Sequence, residues 1–474
     1  MLGRKHFIIW PVILSVLCGF LTSCEEEGFI DDPSARLSFS TDTLMFDTVF
    51  TTIGSATKKF TAKNPYNKKI NIRTIKLAGG KDSDYLLNIN GTPTHSMSNV
   101  VLNPHDSLYI FAEVAIEPNN DNNPLMVKDS VVFNINGNTQ DIKLIAWGQD
   151  VHLIDDEVLK TQTWEADKPY LVYNSALVDT QHTLTIEPGT QIHFHANSRF
   201  YVAGTLISDG TKENPILFTS DRPEEDYSNI PGQWDGIYLM PESSNHIINY
   251  TNIKNAITGI QVDTPGNTAS PDLTLSNSKI QHMTYAGIYA RGSTIKAYNN
   301  VISDCGNYAV ALTSGGSYEF HHTTIANYWS GSTRSTPSLL LNNYNEEKQE
   351  SALKKALFNN CIIYGNNIYE IGVDSLESSG VMNYKFEHCL IKTGQEFQLA
   401  DHHYENLIKN KDPGFISPED YNFRLDTLSP AIDAGDVQTG ERYPRDILKN
   451  SRNSDEAPDL GAYEYIPGTE KQEE

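Results

Sequence analysis

Six hexapeptides recur in the second half of the chain: INYTNI (248–253), LSNSKI (275–280), AYNNVI (297–302), FHHTTI (320–325), FNNCII (358–363) and FEHCLI (386–391). Each ends in isoleucine, and the intervals between those isoleucines are 27, 22, 23, 38 and 28 residues. A floor near 22 with occasional excess is what a coil of fixed minimum circumference gives when loops are inserted into it. A second apolar element follows most of them: ITGIQV (257–262), YAGIYA (285–290), YAVALT (308–313) and YEIGVD (369–374). The pattern predicts two short strands per coil with a polar turn between them. Neither strand buries its apolar face alone, so the coils must stack.

Aligned hexapeptides also form columns. The fourth position reads Thr251, Ser278, Asn300, Thr323, Cys361 and Cys389, and the third reads Tyr250, Asn277, Asn299, His322, Asn360 and His388. Ladders of like residues fit parallel, in-register strands about 4.8 Å apart, and roughly ten coils give a rod about 45 Å long. The fold class is all-β, a right-handed parallel β-helix spanning 153–426. Upstream, LTIEPGTQIHFHANSRFYVAGTLISDGTKENPILFTS (184–220) is followed by GQWDGIYL (232–239). The string resembles the opening coils of bacterial right-handed β-helix repeat proteins, which share the pectate-lyase-like superfamily fold. The resemblance covers 184–465 and implies Gly189, Gly204, Gly210 and Gly236 at bends where a side chain would clash. It carries fold far more than function.

Segment 37–150 has a different rhythm. Short alternating runs such as SLYIFAEVAI and SVVFNINGNTQDIKLIAWG, bounded by Asn, Gly, Asp and Pro, predict an antiparallel β-sandwich. The stretch Ala62-Lys63-Asn64-Pro65-Tyr66 before Ile70-Asn71-Ile72 resembles immunoglobulin-like modules beside larger extracellular domains, without the Cys-Trp-Cys signature of antibody domains. This module is expected to act as a spacer.

The start of the chain sets location. Arg4 and Lys5 precede an apolar run from Phe7 to Leu21, then Leu21-Thr22-Ser23-Cys24. That is a secretory signal, too short for a lasting membrane span, and its ending resembles the lipobox of bacterial lipoproteins. The resemblance implies cleavage after residue 23, lipid attachment at Cys24 and a membrane partner through that anchor. Glu25-Glu26-Glu27-Gly28 resembles the acidic leaders of surface-displayed lipoproteins. An outer-membrane, lipid-anchored protein facing the cell exterior is therefore expected, with 24–36 as an acidic tether. Removing residues 1–23 leaves 34 basic against 60 acidic residues, net −26. That charge repels polyphosphates and excludes nucleic acid as a partner. Cys305, Cys361 and Cys389 are too few for a disulfide framework.

Whether the chain is catalytic stays open. A lyase needs a base and a cation to stabilise an enolate, and a glycosidase needs two carboxyl groups across a sugar bond. Neither set stands out. His193 and His195 share a strand face without an identifiable third ligand, so no metal and no cofactor are expected. Loops at 221–232, 263–272 and 331–351 project from the coils. Tyr227 and Trp234 border the first, and Tyr328, Trp329, Arg334 and Tyr344 border or lie in the third. Aromatic faces beside polar groups suit stacking against sugar rings, so these six are the candidate glycan contacts and an extracellular polysaccharide is the candidate partner. The alternative is a polysaccharide lyase or glycosidase whose residues are scattered over several coils.

The string SPAIDAGD (429–436), with Arg445-Asp446 and DLGAYEY (459–465) after it, resembles the terminal segment that closes extracellular β-helices. Segment 427–466 is expected to cover the open end of the stack, with 467–474 a disordered tail. Asp433 and Asp459 are expected to accept turn backbone N–H groups or to pair with Arg442 or Arg445.

Overall fold

The computed structural model describes residues 28–51, 53–55, 57–118, 125–263, 270–376, 381–394 and 402–468. The leader and Cys24 lie outside the described residues. The chain divides into two units, 1–150 and 151–474.

The first unit contains two five-stranded sheets. One runs Ser38–Phe39, Lys58–Lys63, Ser107–Val114, Tyr85–Ile89, Thr92–Thr94, with antiparallel neighbours throughout. The other runs Thr43–Phe50, Asn138–Gln149, Leu125–Ile135, Ile70–Leu77, Ser96–Leu102, and its first pair alone is parallel. Alternating residues of both sheets, among them Phe46, Phe60, Ile72 and Phe133, form one buried core. Asn64 is fully buried, and its amide donates to the carbonyls of Lys68 and Asn103 at 2.8 and 2.9 Å. A buried amide must be satisfied, so this residue ties a turn to a neighbouring strand end.

The second unit is a parallel β-helix whose coils carry three strands, one more than the hexapeptide spacing suggests. The first face is a ten-stranded sheet from Gln162–Trp164 to Tyr404–Glu405. Each hexapeptide straddles a corner, ending a first-face strand and beginning a second-face strand. Its third residue makes the turn in left-handed backbone: φ is 41° at Tyr250, 49° at Asn277, 56° at Asn299, 44° at His322, 55° at Asn360 and 46° at His388. Asparagine tolerates that region better than most residues, which explains the column's composition. Within the column the amide of Asn299 donates to Asn277 Oδ1 at 3.1 Å and that of Asn360 meets His322 Nε2 at 3.2 Å, so side-chain bonds join neighbouring coils at the corner.

The terminal isoleucines form one in-register interior column: Ile253 opposes Ile280, then Ile302, Ile325, Ile363 and Ile391, all fully buried. Burial stabilises each by about 1.5–3 kcal/mol. Phe320, Phe358, Phe386 and Tyr404 stack behind them with ring centres 5.1, 4.9 and 5.8 Å apart. The third face follows each second-face strand and includes Leu339–Asn342, a strand inside the segment read from sequence as a single 331–351 loop.

The segment after Ile408–Lys409 leaves the repeat. It turns back as a strap along the flank. Phe415, Phe423, Leu425, Ala431, Ile447 and Leu460 pack on Val301, Ala326, Ile362 and Leu390, residues of four different coils. The strap covers the corner column: Asp436 N–H donates to Asn360 Oδ1 at 2.7 Å, Asn299 Nδ2 to Arg445 O at 2.8 Å, and Gly461 N–H to Asn360 O at 2.8 Å. Corner groups that would otherwise face water thus supply its hydrogen bonds. A short helix in the strap, Val437–Arg442, starts where the Asp436 carboxylate accepts the Thr439 N–H at 2.8 Å.

Candidate functional site on the third face

Third-face strands alternate inward and outward residues, and the outward ones stack in register. Tyr201 opposes Tyr238, Tyr238 opposes Gln261, and Gln261 opposes Tyr289. All four are half-buried while Phe200, Ile237, Ile260 and Ile288 beside them are in the core. Gly236 makes this register fit. Its φ is +122°, and a Cβ there would sit 1.7 Å from the Thr258 carbonyl oxygen, so only glycine is accommodated.

Each arginine on this face is matched by a carboxylate. Arg199 lies 3.3 Å from Asp235. Arg291 forms a two-pronged pair with Asp263, its Nε donating at 2.7 Å and its Nη2 to the other oxygen. That pair raises the guanidinium's pKa, the Asp263 hydrogen bond being the largest cause. Both arginines lie 5.8 Å from a column ring, Arg199 from Tyr201 and Arg291 from Tyr289. Tyr238 has its pKa raised by burial first and by Asp263 second.

Beyond Tyr289 the column opens into a cavity of about 290 Å³ lined by Tyr289, Arg291, Thr313, Asn342, Tyr344 and Glu347 among others. A second, of about 350 Å³, shares Arg291 and Ser314 with it. Tyr344 is the one sequence-nominated contact that joins this surface. Its hydroxyl donates to Asp374, and Lys348 Nζ sits 4.0 Å from its ring centre.

The other five lie elsewhere, and not at one place. Trp234 is a core residue, 1% exposed and stacked on Phe194 at 4.0 Å, because it occupies an inward strand position rather than the loop's rim. Its indole N–H donates to Lys254 O at 2.8 Å. Arg334 is buried with Glu370, Nη1 and Nη2 donating at 2.9 and 2.7 Å, so it fastens its own loop and is not available to a surface ligand. Tyr328 packs between Phe423 and Phe415 of the strap at 6.2 and 6.3 Å. Tyr227 carries the Arg222 guanidinium 3.7 Å over one ring face. Trp329 is half-buried and donates to Ser332 Oγ at 3.0 Å. Sequence reasoning favoured loops and passed over Tyr201, Tyr238, Tyr289 and Arg291. The available signal was the outward phase of elements such as YAGIYA.

His193 and His195 have separate partners: His193 Nδ1 bonds the Ser220 carbonyl at 2.9 Å, and His195 Nδ1 meets Asp221 at 2.6 Å. Burial lowers the pKa of His193. Among the described residues no three His, Cys, Asp or Glu side chains cluster as metal ligands. Cys361 and Cys389 are buried free thiols donating to the Phe320 and Phe358 carbonyls at 3.4 Å. Burial raises the pKa of Cys389, away from reactive thiolate.

Two strap carboxylates accept backbone N–H groups, and the cation buried beside them is neither Arg442 nor Arg445. Asp459 accepts from Asp433 N–H at 2.8 Å and Tyr465 N–H at 2.6 Å. Asp433 Oδ1 accepts one long bond from Ala457 N–H at 3.3 Å. Arg445 is exposed and donates to Lys449 O at 3.2 Å, pairing with neither aspartate. The buried cation is Arg452, which meets Glu464 at 2.9 Å and donates to Asn299 Oδ1 at 3.1 Å. One arginine faces three buried carboxyl groups, Glu464, Asp459 and Asp446. Burial accordingly lifts Glu464 to about 8 and Asp459 to about 6, against the pull of Arg452.

Residues 170–325 and 258–411 match the family described as right handed beta helix region, together spanning 170–411, just over half the chain. No curated protein matches the sequence. Among solved structures, a family 123 glycoside hydrolase from Clostridium perfringens is 7% identical, with 26% of each chain covered and a TM-score of 0.18. The chain therefore spans only 26% of that hydrolase's length. PapD-like domain 7 of human CEP192 is 9% identical, covering 25% of this chain and 87% of that one, with a TM-score of 0.17. Likenesses this slight carry no argument.

Proposed function

The chain belongs to the right-handed β-helix family, and from that premise we propose that it is a lipid-anchored, surface-displayed protein that binds a glycan along its third face. The observation carrying this reading is the axial column Tyr201, Tyr238, Gln261, Tyr289. Coils rise by about 4.8 Å, close to the length of one sugar unit, so successive sugars meet successive coils. Ring faces take the C–H faces of sugars, and the paired Arg and Asp side chains with Asn342 offer hydrogen bonds to hydroxyls. Because the arginines are already matched by carboxylates, the fit is to an uncharged chain. The first unit, with its two sheets and the buried Asn64 turn, is read as an immunoglobulin-like spacer, and Cys24 as the lipid attachment site.

A second reading, cleavage of that glycan, has one observation in its favour: Arg291, Asp263 and Tyr238 converge. Tyr238, however, is pushed away from giving up its proton, the opposite of what a lyase base requires. The deciding experiment is a glycan-array screen of the full chain in detergent, with product analysis of every hit. Intact, retained glycans are expected. Shortened or unsaturated products would replace binding with catalysis, and an array without hits would overturn both. For the anchor, Cys24→Ser should move the protein from the membrane fraction to the soluble one; unchanged fractionation would contradict lipid attachment.

A further inference from the structure

A second surface on the β-helix carries the opposite chemistry. Between the first face and the strap lies a groove of about 750 Å³, within the size range of ligand sites. Lys296 and Tyr298 contribute from the first-face strand Thr294–Tyr298, where alternation points both outward. The strap contributes Arg442, Tyr443, Arg445 and Lys449. Four cations thus converge in a chain whose net charge is −24.

Little in the protein neutralises them. Asp446 is the one carboxylate in the lining, and its oxygens are occupied, accepting from Asn450 N–H at 2.6 Å and Glu464 N–H at 2.9 Å. Lys449 reaches the exposed Glu213 at 2.9 Å, a pair that water screens. Arg442 lies 4.0 Å from Glu319, which is already held by Lys355 at 2.6 Å. Among the described residues no carboxylate pairs with Lys296 or Arg445.

The aromatic rings hold this charge in place. Tyr298 stacks on Tyr443 at 4.7 Å. Arg442 and Lys296 sit 5.4 and 5.9 Å from the Tyr443 ring centre, and Lys449 sits 5.7 Å from that of Tyr250. Cations spaced along a tyrosine wall suit a ligand bearing oxyanions: guanidinium binds carboxylate or sulfate through two parallel hydrogen bonds, and of the three rings the half-buried Tyr250 and Tyr298, rather than the buried Tyr443 held between Tyr298 and His321, offer surface to a sugar.

We propose that the groove between the first face and the strap is a second saccharide site, selective for a chain that carries carboxylate or sulfate groups. It lies on a different face from the tyrosine column and stands or falls independently of it. The site localises an acidic chain on an acidic protein by concentrating positive potential where the strap crosses the coils.

The test is calorimetric titration of the full chain in detergent with four probes: a chondroitin sulfate hexasaccharide, a hexamer of galacturonic acid, cellohexaose and sodium sulfate. At least one charged hexasaccharide should bind, more weakly as salt is raised, and the double variant Lys296→Gln/Arg445→Gln should lose tenfold or more in affinity while melting like the parent. Which charged probe binds better distinguishes sulfate from carboxylate. Tyr289→Ala should leave this binding unchanged. Failure of both charged hexasaccharides, or unaltered affinity in the double variant, overturns the proposal. Binding of sodium sulfate alone also overturns it, since the site would then hold a small anion rather than a sugar chain.

Discussion

The third face and the strap groove lie on overlapping coils, and they differ in charge and in how the chain builds them. On the third face, repetition puts one outward residue of each coil in register with the next, and Arg199 and Arg291 each meet a carboxylate. In the groove, the repeating coils supply Lys296 with Tyr250, Asn277, Tyr298 and Asn299, while the non-repeating strap supplies the other three cations and Tyr443. A solenoid alone produces columns, uniform along its axis. Breaking that uniformity takes a segment from outside the repeat, and here the strap is that segment.

Detaching the strap should separate the two surfaces most sharply. Arg452→Ala leaves the buried Asp459 and Asp446 without their cation and removes the hydrogen bonds to Glu464, Asn299 and Gly461, and should cost about 3–5 kcal/mol. Thermal unfolding and limited proteolysis should show the strap cleaved early, with charged-glycan binding lost and third-face binding kept; loss of both together would mean that the two surfaces are not separable. Changing pH acts on the same cluster more gently. Because the folded state raises the pKa of Glu464 to about 8 and of Asp459 to about 6, it retains protons that the unfolded chain releases above the ordinary carboxylate range. Their contribution to stability is complete below that range and declines as pH climbs toward 8. Denaturation across pH 4–9 should show Glu464→Gln losing stability with pH less steeply than the parent; equal slopes would place the retained proton elsewhere.

On the third face, Tyr289→Ala should weaken binding of an uncharged oligosaccharide about tenfold, or ~1.4 kcal/mol, without moving the melting temperature by more than a degree or two. An unchanged affinity would detach the column from binding. The smallest effect belongs to Asp433→Ala. Its carboxylate makes one long bond, so a loss of about 0.5–1 kcal/mol is expected, well below that of Asp459→Ala in the same unfolding experiment.

Much of this contrast follows from what a sequence exposes. The isoleucine column was legible because one coil's residue repeats at the next coil's minimum length, and burial leaves few alternatives at that position. The corner column was legible as a column but not as a corner, since a left-handed residue interrupts no apolar pattern. Leu339–Asn342 was hidden inside an insertion that broke the spacing. Trp234 and Arg334 were misplaced because an aromatic or a charge beside a loop looks alike whether it turns inward or outward; only the partners, Phe194 and Glu370, decide. Arg452 had no local signal at all. It sits in a polar stretch, and its partner Asn299 is more than a hundred residues away in sequence.

A sugar chain that lies along the tyrosine column, one unit per coil, gains contacts with every unit added. The most direct measurement is the affinity of the full chain for uncharged oligosaccharides of two to six units, taken from the array hits, for the parent and for Tyr201→Ala/Tyr238→Ala/Tyr289→Ala. Affinity should climb with each added unit to a plateau near four, the number of coils in the column, and should collapse in the triple variant. Affinity independent of length, or retained by the triple variant, would contradict that placement of the chain.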